Sequence, residues 1–410
     1  MADFADELRA LLAARGMSLR QAAREVPCDN GYLSKLAHGT KRPSLAMAAR
    51  LEEMLDATGR LVPHVRHEPL GGLGHDADEV ASAAHEAEAD QSRLLAQPGQ
   101  QSIDSLWEEV LEIARAANRS AWQTFSASYR LRRHALELAE ATRSPKALSD
   151  LYVIAGQATA LMASTAFDLD RWDESAALAR SAVSYAALVG NSSLHAWTLG
   201  LAALLANWRL EPDIALSHFQ RGLQVAPAGI PRARLRYIAA RSHALLGDVL
   251  SVGQRIDEAR RDQADAAQHH DQLSQETGGE FAFGPARAEA CAASAWLDLG
   301  RGREAKAAAQ RALNDLLALP APRQPLSQVT GARIDLATAC LLGRERDEAE
   351  DVLHDVIAAP ASLGNVSLAG RLARTRETLA SPAWSRDPAA RQLDDTIGEW
   401  LAQPDAGRPG

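Results

Sequence analysis

A chain of 410 residues with 5% aromatics and abundant alanine and leucine has room for two or three domains and favours packed helices over sheets. The net charge of −9 argues against a surface coated for nucleic acid, the acidic first residues are wrong for a signal peptide, and no stretch approaches the roughly 20 apolar residues of a membrane span. Three cysteines, odd in number and far apart, suggest neither a disulfide framework nor a metal knuckle, so a cytoplasmic protein with no cofactor is the expectation.

The charge is unevenly spread. Residues 1–66 hold ten Lys and Arg against eight Asp and Glu, whereas the remainder holds 34 against 45. Phosphate contacts therefore belong to the N-terminal end.

Phe4, Leu8, Leu11 and Leu12 form one apolar stripe on a first helix, which Gly16 ends. Ser18 caps a second helix, with Gln21 completing a capping box, and Leu19, Ala22, Ala23 and Val26 supply its buried side. Pro27-Cys28-Asp29 breaks the chain, and Asp29 or Asn30 caps a third helix running to about Ala37. Gly39 stops that helix, and Pro43-Ser44 opens a fourth carrying Leu45, Ala48, Leu51 and Leu55 on one face.

Two short helices around a tight turn, followed by Gly-Thr-Lys-Arg-Pro-Ser, resemble the Cro/phage-repressor (XRE) family of helix-turn-helix proteins. The resemblance is carried by Met17-Ser-Leu-Arg-Gln-Ala-Ala-Arg, by Tyr32-Leu-Ser-Lys-Leu-Ala-His-Gly and by Lys41-Arg-Pro-Ser, about 60 residues in all, with Pro27 where the turn glycine usually stands. It implies that the third helix enters a major groove with Asn30, Gly31, Ser34 and Lys35 facing bases, Asn30 suited to adenine and Lys35 to guanine. Gly31 offers no side chain, so DNA shape contributes to specificity. Arg20 and Gln21 at the second helix, with His38, Thr40, Lys41 and Arg42, are the remaining expected DNA contacts, chiefly to phosphates. Tyr32 suits either the core or a backbone contact.

Residues 67–101, with Gly71-Gly72-Leu73-Gly74 and an acidic alanine-rich run, read as a linker. From about Ile103 a repeat of paired helices follows, each marked by a polar turn and an alanine-bearing helix. Aligning Ala176, Ala215, Ala259, Ala305 and Ala349 gives spacings of 39, 44, 46 and 44. Such a period indicates a helical solenoid and looks like a divergent tetratricopeptide array, whose usual period is about 34. The expected fold is thus all-α: a helix-turn-helix bundle of four to five helices at 1–66, then an α-solenoid of tetratricopeptide-like pairs at 102–402, with a disordered tail at 403–410. Helices around 103–120 and 121–143 open the solenoid, and helices at Val366–Leu379 and Ala389–Leu401 close it.

A head of this kind on such a body is similar in layout to the peptide-sensing quorum regulators of Gram-positive bacteria and to regulators of high-GC actinobacteria. The resemblance implies a transcriptional regulator that binds an inverted repeat in double-stranded DNA as a homodimer and answers a peptide or small-molecule effector in the solenoid groove. Candidates for that groove, from the first helix of each pair, are Tyr152, Gln157, Trp197, Asn207, Arg234, Tyr237, Arg241, Arg287 and Arg333. The arginines suit a ligand carboxylate or phosphate, or else balance acidic helices; Trp197 and Tyr237 equally suit repeat core. A protein-interaction scaffold, or an antitoxin-like inhibitor with a DNA-anchoring head, is the alternative. His269-His270 lies in a helix without an i+4 partner, the Gly71 run lacks its strand and helix, Cys291 and Cys340 fall in apolar helices, and no nucleophile–base arrangement stands out; an enzyme is not expected.

Overall fold

A computed structural model of the chain describes residues 2–65, 82, 85–87, 100–116, 119–358 and 366–403, and these contain helices and turns but no strand. Most of the expected linker, and the tail beyond Gln403, lie outside the described residues. The chain divides into two compact units, Met1–Ala89 and Asp90–Gly410.

In the first unit, α1 (Ala2–Ala14), α2 (Leu19–Glu25), α3 (Asn30–Ala37) and α4 (Leu45–Met54) surround a core of Phe4, Leu8, Ala22, Leu33, Leu36, Leu51 and Leu61. Local chemistry sets the boundaries. Ser18 and Gln21 form the capping box at α2, Asp29 accepts from the Tyr32 N–H to cap α3, and Ser44 caps α4. Glu52 is buried at 7% exposure, and its carboxylate accepts the N–H groups of Leu61 and, at 2.7 Å, Val62. That bond ties the 3-10 turn Val62–His64 back onto α4 and holds the Glu52 carboxyl below the usual carboxylate range.

The second unit opens with α5 (Gln100–Arg115) and α6 (Ala121–Ala141). Six antiparallel pairs follow: α7 (Pro145–Asp168) with α8 (Trp172–Leu188), α9 (Ser192–Trp208) with α10 (Pro212–Val225), and α11 (Ile230–Leu245) with α12 (Val249–Ala264). The remaining three are α13 (Pro285–Asp298) with α14 (Gly302–Leu317), α15 (Leu326–Leu342) with α16 (Arg346–Ala358), and α17 (Val366–Leu379) with α18 (Pro388–Ala402). The first helix of each pair packs on the first helix of the next, so α7, α9, α11, α13, α15 and α17 line the inside. α17 also touches α7, and Val366 joins the core of the first pairs, which brings the two ends of the array together.

Five of the pairs turn in the same way. Asp170, Leu210, Gly247, Gly300 and Arg344 each stand two residues past the first helix with φ of 59–74°. Each donates to the carbonyl three residues back, and the next residue to that five back, at 2.8–3.2 Å: Asp170 and Arg171 to Phe167 and Ala166, Arg344 and Glu345 to Leu341 and Cys340. This left-handed C-terminal cap closes the orphan carbonyls and aims the second helix. Gly300, like Gly247, serves this turn.

The turns also correct the register of the repeat. The equivalent buried positions are Ser175, Ala215, Val252, Ala305 and Ala349, each three residues into its second helix and each at 0% exposure. Ser175, not Ala176, leads the series, and its hydroxyl donates to the Ala163 carbonyl at 2.6 Å. Ala259 lies two turns further along α12. The true spacings, by subtraction, are 40, 37, 53 and 44.

The long period comes from residues 265–284, which leave α12 in short 3-10 and π turns. His269 and His270 lie here and not in a helix, and His270 faces Glu276 at 3.0 Å. The insertion crosses to α5, where Arg115 donates to the Thr277 carbonyl at 2.9 Å and to that of Glu276. Gly279 has φ +57°, and a Cβ there would lie 1.9 Å from the Ala114 carbonyl oxygen, so only glycine fits. Phe281 and Phe283 are buried on the inner face, Phe281 against Trp197 at 4.9 Å between ring centroids. Part of the expected open groove is thus filled by the chain itself.

Candidate nucleic-acid interface and inner cavity

The caps of the first unit leave one side of α3 free. Leu33, Leu36 and Ala37 face the core, while Asn30, Gly31, Lys35 and His38 are exposed and Ser34 half-buried on the other side. A Cβ on Gly31 would lie 2.8 Å from the Asp29 carboxylate, so glycine here preserves the cap. The His38 ring Nδ1 donates to the Ser34 carbonyl at 2.7 Å, and the Thr40 hydroxyl to that of Lys35 at 3.1 Å, which fixes the loop after α3. Lys41 Nζ stands 5.1 Å above the half-buried Tyr32 ring. Gln21 spends its side-chain oxygen on the Ser18 cap.

Charge separates across the unit. Arg9, Arg15 and Arg60 are paired with Asp6, Asp56 and Glu7. Arg20, Arg24, Lys35 and Arg42 are exposed and have no carboxylate within 4.0 Å among the described residues. The described cations without a carboxylate thus stand at both ends of α2, on α3 and in the following loop, with Arg50 on α4 besides. Residues 3–65 match a family model described as a helix-turn-helix domain. No curated protein matches the chain. A helix-turn-helix domain implies DNA binding, and no described helix is long and apolar enough to cross a membrane.

In the second unit the residues proposed from sequence separate into core and cavity. Tyr237 is buried and donates to Gln263 at 3.2 Å, and burial pushes its phenol up to about 12. Asn207, buried, donates to the Ile238 carbonyl and accepts from Ser242, clamping α9 to α11. Tyr152 packs on Tyr185, Gln157 is buried and Arg333 pairs with Asp355. Trp197 is core, with Arg234 stacked over its ring at 4.6 Å.

Arg234, Arg241 and Arg287 do come together. With Asn207 and Tyr237 they line a cavity of about 290 Å³, together with Arg371, Asp168, Glu280, Cys291 and the apolar side chains of Phe167, Leu201, Leu204, Trp208 and Phe283. Arg241 bonds Asp298 at 2.9 Å and stacks over Trp208 at 4.4 Å, Arg374 bonds the other oxygen of Asp298, and Arg371 bonds the buried Asp335. Arg287 donates to the carbonyls of Glu280 and Ala282 and to the Glu280 carboxylate at 2.7 Å. Burial, with Glu280 nearby, raises the Asp168 carboxyl to about 7. Cys291, on an alanine-rich helix and packed on the hydrophobic core, also lies among Arg234, Arg371, Arg287 and Arg241; burial keeps its thiol above the usual range.

Sequence reading missed Arg371, Arg374, Asp298, Asp335, Asp168 and Glu280. The i, i+4, i+7 spacing of Arg287, Cys291 and Ser294 and the Arg371/Arg374 pair were the available signals, but they lie in different repeats. The Cys340, Glu345 and Glu348 group resembles a metal site only in composition, since Lys306 bonds both glutamates at 2.6 and 2.7 Å.

Proposed function

We propose that the chain is a sequence-specific DNA-binding transcriptional regulator of the XRE type whose tetratricopeptide-like unit binds an effector and dimerises. The helix-turn-helix match over residues 3–65 carries the reading, and the unpaired cations around α3 give it a physical basis. Asn30, Ser34 and Lys35 reach base edges, while Arg20, Thr40, Lys41 and Arg42 meet phosphates that set register without specifying sequence. A single small head makes too few contacts for a tight site, so two heads on an inverted repeat are the natural arrangement. The inner cavity, built from the first helices of successive pairs, is where a ligand would bias the packing of the array.

The test is selection of bound genomic fragments by the purified full chain, with its oligomeric state measured in the same buffer. Recovery of an inverted repeat by a dimer is the expected result. Absence of any enriched sequence at low salt, where phosphate contacts are strongest, would overturn the reading and favour a scaffold.

A further inference from the structure

The inner cavity has more guanidinium groups than carboxylates to balance them. Arg234, Arg241, Arg287 and Arg371 line it with Asp168 and Glu280, and Asp298 and Asp335 outside the lining pair with Arg241, Arg374 and Arg371. Arg234 is the member without a carboxylate within 4.0 Å among the described residues; one of its amino groups donates to the Trp197 carbonyl at 2.8 Å. Burial lowers its pKa to about 10, which leaves it cationic at neutral pH. A desolvated guanidinium satisfied by one neutral carbonyl is a strong attractor for an anion, and its planar fork matches a carboxylate. Leu201, Leu204, Trp208, Ile238 and Phe283 give the lining its apolar part, beside the polar side chains of Ser164, Asn207, Tyr237, Ser294 and Gln328. Its volume of about 290 Å³ sits at the low end of ligand pockets, roughly 300–1,000 Å³, too small for an extended peptide. Ser164, Asp168, Glu280 and Arg287 also line a larger opening of about 1160 Å³, which supplies a way in.

Resting on the regulatory reading above, we infer that the effector is a small organic carboxylate with a compact apolar body, held by Arg234 through its free N–H groups and by the aromatic lining. Of the peptide or small-molecule effector implied by the layout of the chain, this cavity suits the small molecule, because the insertion 265–284 occupies part of the groove.

Cys291 lies in the lining and Cys28 in the other unit, so N-ethylmaleimide modification of the full chain, mapped by peptide mass, reports on the cavity with its own reference. Phenylacetate, benzoate and butyrate are the probes, with phenylacetamide and inorganic phosphate as controls. The acids slow modification of Cys291 and leave Cys28 unchanged; phenylacetamide and phosphate do not. Arg234→Met raises the acid concentration needed by about tenfold or more, as expected for a charged hydrogen bond. Ala290→Leu, which fills the cavity from a half-buried lining position, abolishes protection while the Cys28 rate and helical circular dichroism stay as in the parent. No protection by any acid up to ~10 mM, a binding energy of about 3 kcal/mol, would overturn the inference. Equal protection by phenylacetamide, or protection by phosphate alone, would overturn it too. Protection by the acids with no change in affinity for the selected DNA leaves the site standing and removes its regulatory role.

Discussion

At the scale of single residues, the sharpest division is between side chains held for structure and those left exposed to act. Lys35 and Arg42 are both exposed cations without a described carboxylate partner, yet they differ in placement, one on the face of α3 and one in the loop beyond it. Lys35→Ala is therefore expected to reduce discrimination between DNA sequences. Arg42→Ala should weaken binding to all of them and make the salt dependence shallower by about one unit. Binding isotherms over a salt series decide it, and identical behaviour of the two variants would show that α3 is not the reading helix. Glu52 belongs to the structural class. Its carboxyl is held low first by the Val62 N–H, then by further backbone donors against the opposing effect of burial. The stabilisation is present above its unfolded pKa of about 4.3 and is lost as pH falls through the lower folded value. Protection factors for residues 59–65 should drop on acidification in the parent and stay nearly flat, at a lower level, in Glu52→Gln. A flat parent profile would contradict this assignment.

At the scale of elements, repeated turn chemistry does what helix propensity alone cannot. Leu210 and Arg344 adopt the left-handed turn conformation as Gly247 and Gly300 do, which shows that the packing of each pair outweighs a conformational cost of about 1–2 kcal/mol. That is why no uniform glycine marks these turns, and why aligning alanines placed Ala176 and Ala259 off register. The insertion 265–284 is the opposite case, a segment whose course depends on one position. Gly279→Ala meets both the positive φ and the Ala114 carbonyl, for an expected cost of about 2–4 kcal/mol. Limited proteolysis should then cut between α12 and α13, where the parent resists. Resistance equal to the parent would mean that the insertion is not anchored at α5.

At the scale of the helical unit, the array closes on itself. Val366 packs among residues of the first pairs although it opens the last one. Val366→Asp should therefore speed hydrogen exchange in α7 as well as in α15, α17 and α18, since a carboxylate packed half-buried against an apolar core is costly. An array whose ends did not meet would respond only near α17. The same closure explains the cavity: arginines from α11, α13 and α17 reach one another only because six inner helices come round to a common centre.

The amino-acid sequence by itself determined that this is an all-α chain with a helix-turn-helix head, because caps, glycine stops and apolar stripes act within a few residues of one another. Ser18, Asp29 and Ser44 carry their own geometry, and the exposed face of α3 follows from its buried one. It also showed a repeat of helix pairs, because each pair must bury one face against the next. Only the tertiary structure decided which charges meet. Arg234 finds no carboxylate, Arg241 and Arg374 share Asp298, and Glu280 reaches Arg287 from an insertion that resembles a helix in composition. Those encounters depend on the curvature summed over many turns and on the path of residues 265–284, and no local pattern encodes either.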